Sequence, residues 1–199
     1  MKWFICISLV FLYSFDEGKQ ALTKQDSWVV EKNSSLVIKG SSNINSFTCD
    51  VRRYLHNDTL NYTTDPKGRH LNFQRRTVTI NVDEIDCHHK FITSDLRKTL
   101  NYQQYPYLKI HFVSLDDPTV MQPGQSIKGL VDIEMAGNVK RIEMHYAVRN
   151  QGGRIFHLSG TKDLVFSDFK LEPPRKLAGL IHINEELRVS VELFFRKIS

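Results

Sequence analysis

The chain has 199 residues, 41% of them hydrophobic and 25% charged, with 27 Lys and Arg against 22 Asp and Glu. That length suits one domain with its own core, and these ordinary fractions exclude a disordered, collagen-like or low-complexity chain. The net charge of +5 is spread thinly, and no basic run interleaves with aromatic residues, so no nucleic-acid partner is expected.

The first element is a leader. Lys2 precedes the mostly apolar residues 3–15, and a charged start followed by about 13 such residues is the layout of a secretory signal. Residues 1–21 are expected to be a signal peptide and 22–199 one mature domain. No apolar run reaches the roughly 18 residues of a spanning helix, so an integral membrane protein is not expected. The destination, periplasmic or secreted, decides how the cysteines read. Cys6 falls in the leader, without the small upstream residues of a lipid attachment site. Cys49 and Cys87 remain, and an even pair in an oxidising compartment favours a disulfide over two buried thiols.

From Trp28 onward the pattern has period two. Strand candidates are 28–31, 35–39, 47–54, 59–63 and 71–82, then 107–115, which ends at Asp116-Asp117-Pro118. The clearest alternation follows. Ile127, Val131, Ile133 and Met135 alternate with Lys128, Asp132 and Glu134, and Ile142, Met144, Tyr146 and Val148 with charged partners. Phe156, Leu158, Leu164 and Phe166 repeat the pattern, as do Leu187, Val189, Val191, Leu193 and Phe195. Gly137-Asn138 and Gly152-Gly153 read as tight turns between them. Such alternation means strands with one wet and one dry face. One segment differs: about 93–104 places Leu96 and Leu100 four apart, with Thr93 or Ser94 to cap it and Pro106 to stop it, and reads as a short helix.

About eight strands with long dry faces, and one helix to cover them, favour closure into an antiparallel up-and-down barrel over two stacked sheets. At eight strands the interior is either filled by side chains or holds one ligand. The dry-face residues Val131, Ile133, Met135, Ile142, Met144, Tyr146, Phe156, Leu158, Val189, Val191 and Leu193 are the candidate lining. Tyr146 is the candidate polar contact. Met121, Met135 and Met144 have the adaptable side chains an irregular apolar guest would need.

In order, Trp28-x-Val30, Leu36-x-Ile38-x-Gly40-Ser41-Ser42-Asn43 and Phe47-x-Cys49 resemble the opening of the YceI-like family of exported polyisoprenoid-binding proteins. Asp95 and Leu100 followed by Tyr105-Pro106-x-Leu108-x-Ile110-x-Phe112 resemble its helix-to-strand passage. Gly129-x-Val131-x-Ile133-x-x-x-Gly137-x-x-Lys140 resembles its hairpin. Asp168-Phe169-x-Leu171-x-x-Pro174, then Leu187-x-Val189-x-Val191-x-Leu193, resembles its closing segment. The likeness spans about residues 27–197. It implies a lipocalin-like all-β barrel whose apolar interior holds a long isoprenoid-type lipid, such as a polyprenol or quinone tail, with no catalytic residue and no cofactor. Lys170 departs from the pattern, standing where a small residue is usual, and Asn138 replaces a branched one.

Other readings stay open on the residues alone. The dry faces could interdigitate, leaving a filled barrel that acts as a periplasmic or surface interaction protein, with Arg52, Arg53, Arg75 and Arg76 as its patch. A homodimer is compatible with the sequence. Cys87-His88-His89 is the one dense group of metal-ligating types, but it lacks a second ligand pair, and no hydrolase, zinc-protease or phosphate-loop motif occurs, so neither a metal site nor an enzyme is expected. His111, His145, His157 and His182 oppose the apolar parity of their strands and are expected to face water. Asn33, Asn57 and Asn61 begin N-x-S/T triplets, which matter only in a pathway that glycosylates them.

Overall fold

A computed structural model of the chain describes residues 25–51, 54–74, 77–122, 124–150 and 154–198. The expected signal peptide, Arg52-Arg53, Arg75-Arg76 and Gly152-Gly153 lie outside the described residues. The strands are β1 (Gln25–Val30), β2 (Ser35–Ser42), β3 (Ser46–Val51), β4 (Thr59–Thr64), β5 (His70–Phe73) and β6 (Thr77–Asn81). After the helix α1 (Lys90–Thr99) come β7 (Tyr107–Asp116), β8 (Ser126–Met135), β9 (Asn138–Asn150), β10 (Ile155–Val165), β11 (Arg175–Lys176) and β12 (Ile181–Ile198).

Every pairing is antiparallel, and β1-β4-β5-β7-β8-β9-β10-β12 close into a ring through β1 and β12. Successive long strands pair from β7 to β10 and on to β12, as a meander should. The N-terminal strands depart from chain order because β12 is long enough to serve two partners on one edge. Its residues 195–198 pair with β1, while residues 183–192 pair with β2, which carries β3 beside it. The barrel is thus closed differently at its two ends. Past β3, among the described residues, the wall is carried by one backbone bridge, Asp50 to Asp86, with N···O distances of 2.8 and 3.1 Å. Beside that bridge Cys49 is joined to Cys87, 38 residues on, in the expected disulfide.

Local chemistry explains where the expected boundaries move. The segment 71–82 forms two strands, not one, both on β7: His70 to Asn72 pair with its end and Thr77 to Asn81 with its start. A bulge between Phe112 and Ser114 shifts the inward parity of β7 from Phe112 to Leu115. The β8–β9 turn is Ala136-Gly137, not Gly137-Asn138, with φ of 48° and 76°, the doubly positive pair of a two-residue hairpin.

The helix begins a turn earlier than 93–104. Its N-cap is His89, not Thr93 or Ser94, and Ile92, Leu96 and Leu100 lie four apart along the face that meets the barrel. Thr93 serves the preceding loop instead: its hydroxyl accepts from the Cys87 N–H at 3.0 Å and donates to Asp86 at 3.3 Å. His157 is also corrected. It does lie on the outward parity of β10, yet it is only 8% exposed, because it stacks on Phe194 at 4.2 Å and hydrogen-bonds Glu192. His145 and His182 are exposed. His111 is half-buried between Thr77 (2.8 Å) and Glu134 (3.3 Å).

The core divides along the barrel axis. At the β1 end the indole of Trp28, fully buried, has Tyr62, Phe73, Phe156 and Phe195 within 4.9–5.9 Å, and Phe112 completes the group edge-on to Phe195. These rings plug that end. The other end is not filled.

Candidate functional site

The unfilled end holds an apolar cavity of about 80 Å³. Its walls come from alternating positions of the long strands, since residues two apart share a face. From β8 come Val131, Ile133 and Met135, from β9 Met144 and Tyr146, and from β12 Leu187, Val189, Val191 and Leu193. The β12 row alone runs six residue steps, about 20 Å along the strand, so the cavity is long and narrow. Phe112 forms part of its wall and also belongs to the aromatic plug. Leu96 of α1 and Leu100, its C-cap, close it from one side, and Phe166, Phe169 and Leu171 from another.

Of the sequence-predicted lining, Val131, Ile133, Met135, Met144, Tyr146, Val189, Val191 and Leu193 lie on this wall. Phe156 and Leu158 do not, because their end of β10 packs into the filled half, Phe156 against Trp28 and opposite Phe195. Ile142, paired with Val131, is buried but off the wall. Met121 packs partly buried against the core elsewhere. Sequence reasoning missed Leu36, Ile38, Leu108, Ile110 and Lys162, whose alternation was present in the chain; Phe166, read there as the last apolar residue of its strand, instead sits with Phe169 on a 3₁₀ turn that lids the cavity.

Tyr146 is fully buried, and its ring is admitted by missing side chains. A Cβ on Gly129 of β8 would lie 2.7 Å from the ring, and one on Gly160 of β10 2.8 Å. The ring therefore lies along the wall across two neighbouring strands. Its hydroxyl donates to Met144 Sδ at 3.5 Å, a weak acceptor, and burial pushes its pKa well above the usual phenol range. It stays neutral.

The lid is anchored from the hairpin. Lys140 Nζ meets Asp168 Oδ1 at 2.8 Å, tying β9 to the 3₁₀ turn Phe166–Phe169 that lays two phenyl rings over the cavity. Lys170 ends that turn in the left-handed region at φ 55°, a conformation that explains why a small residue would suit the position. On the other side Tyr105 packs on the β8–β9 turn, its ring atoms 2.7–2.8 Å from where a Gly137 Cβ would stand. Three of the segments that carry the family resemblance thus touch one another at the hollow end.

Cys87 is in the disulfide, and His88 Nε2 is 2.9 Å from Asp50. Among the described residues no three His, Cys, Asp or Glu side chains converge as a metal site, and no helix is long and apolar enough to cross a membrane.

The barrel aligns with a polyisoprenoid-binding domain from Saccharophagus degradans implicated in plant cell wall breakdown, at a TM-score of 0.63 over 85% of this chain and 97% of that one. Sequence identity there is 15%. The fold is that of the YceI-like proteins. Burkholderia cenocepacia BcnA gives 0.59, with 14% identity over 81% of this chain and 95% of that one. The Campylobacter jejuni YCEI protein gives 0.50, with 15% identity over 70% and 80%. No family model and no curated protein matches the sequence. At these identities the likeness is one of the YceI-like fold.

Proposed function

We propose that this chain is an exported, non-catalytic member of the YceI-like family that binds a long isoprenoid-type lipid, a polyprenol or quinone tail, in the hollow end of its barrel. The observation that carries this reading is the long apolar cavity, walled by Val131, Ile133, Met135, Met144, Tyr146, Val189, Val191 and Leu193. These residues would contact the lipid chain. The disulfide supports an oxidising destination, periplasmic or secreted, and the Saccharophagus degradans domain is described as polyisoprenoid-binding.

The size of the void decides how binding works. Eighty cubic ångströms hold about five to eight water-sized groups, fewer than the carbons of a long tail. The walls must therefore yield, and Met135 and Met144, unbranched and flexible, are the residues that can do so without strain. Each buried methylene contributes about 0.8 kcal/mol, so even a short inserted segment supplies several kcal/mol. Organic extraction of the purified protein followed by mass spectrometry tests the reading. A stoichiometric long-chain isoprenoid is expected. A clean extract from folded protein that also takes up no added polyprenol would favour an interaction protein.

A further inference from the structure

The inward row of β10 reads Phe156, Leu158, Gly160, Lys162, Leu164. A lysine in that row is unexpected. Its chain neighbours face out: Thr161 bonds Ser190, and Asp163 is clamped by Arg188 at 2.7 and 3.1 Å. Lys162 lies opposite Val189 and forms part of the cavity wall beside Met144 and Leu164. It is half-buried, and among the described residues its ammonium makes no hydrogen bond or ion pair. The cavity surface is almost wholly apolar, so it is the aliphatic stem of Lys162 that lines it; the ammonium lies off that surface, where its charge is felt by the neighbouring Asp163 carboxylate and where it can reach water or meet an anion.

We propose that Lys162 is a specificity-determining residue whose ammonium takes the oxyanion head, carboxylate or phosphate, of a single-chain lipid with its tail in the cavity. This rests on the reading of the cavity as a lipid site and narrows it from neutral polyprenols and quinones to anionic amphiphiles. The residue type fits the task. The aliphatic stem of lysine can lie along the wall while its head stays in water, and three rotatable N–H donors suit a planar carboxylate or a tetrahedral phosphate. Tyr146, on the neighbouring strand, adds a neutral hydroxyl in the same wall.

Two matched ligand pairs test it by titration calorimetry on delipidated protein: hexadecanoate against hexadecanol, and geranylgeranyl monophosphate against geranylgeraniol. In the unmodified protein the anion of at least one pair should bind about tenfold tighter than its alcohol, the scale of a charge-assisted hydrogen bond, and the pair showing the preference identifies the head. Lys162→Met should abolish the preference while keeping the alcohol's affinity, Lys162→Arg should keep it, and Lys39→Met on the outer face should leave it unchanged. Should Lys162→Met fail to fold, Lys162→Gln replaces it with the same expectation. An anion preference that survives removal of the charge overturns the proposal, as does alcohol binding without any preference in the unmodified protein. If neither member of either pair binds, the lipid site itself is refuted.

Discussion

At the end of the barrel closed by β1, four aromatic rings pack around Trp28 with centroids 4.9–5.9 Å away, and a continuous ladder from β12 through β1 to β4 completes the wall. At the end roofed by α1 the same alternating strands surround a void. There, among the described residues, one bridge and a disulfide tie the wall past β3, and the Lys140–Asp168 and Ser167–Glu185 contacts hold the lid. The contrast shows what an interior must supply. Where side chains interlock, packing holds the strands in register; where the interior is open, devices in the wall and on the surface take over.

This contrast can be broken most sharply by truncation. Trp28→Ala should cost about 3–5 kcal/mol in urea unfolding, whereas Met144→Ala, which already borders open space, should cost no more than about 2 kcal/mol. Equal losses would mean that the halves are packed alike. Replacing Cys49 and Cys87 together by Ser should cost about 3–4 kcal/mol on chain-entropy grounds. Hydrogen exchange should then speed up at β3 and α1 and stay unchanged around Trp28.

Filling is the converse test. Val191→Phe, pointing into the cavity, should change stability by less than about 1 kcal/mol and abolish lipid uptake; Leu158→Phe, in the filled half, should cost about 1–3 kcal/mol through overpacking. The wall's outer face gives a smaller, pH-dependent effect. The Arg141 side chain beside Asp132 and the Lys109 ammonium beside Glu134 hold both carboxyls below their ordinary values. Their folded-state pKa values are depressed, so their contribution is present above the ordinary carboxylate range and is lost as pH falls below about 4. Urea midpoints at pH 7 and pH 3 read it. Smallest of all, Lys170→Gly should stabilise by about 0.5–1 kcal/mol, because glycine enters the left-handed region without strain.

Much of the barrel was legible because period two is a direct consequence of a half-buried strand. β8 to β10 follow from it almost residue by residue, β12 over its 187–195 stretch and β7 up to its bulge, and so do Val131, Ile133, Val189 and Val191 as inward residues. The plug was not legible. Phe156 and Val191 obey the same parity, and whether an inward residue meets Trp28 or empty space depends on its height along the barrel, which strand register fixes and alternation does not. The early helix start was hidden for a related reason: His89 caps through extended backbone without a side-chain bond, leaving no capping residue to read. Lys162 was visible, since it breaks an apolar row at an inward position; a polar residue on the dry parity is itself a signal.

The most direct test follows side-chain methyl groups by NMR while geranylgeraniol is added to delipidated protein. The account predicts that the methyl resonances of Val131, Val189 and Val191 shift and saturate together, while those of Leu60, Leu71 and Leu158 stay in place. Unmoved methyl groups in the first set, or equal shifts in both, would contradict a lipid chain lodged in the hollow end.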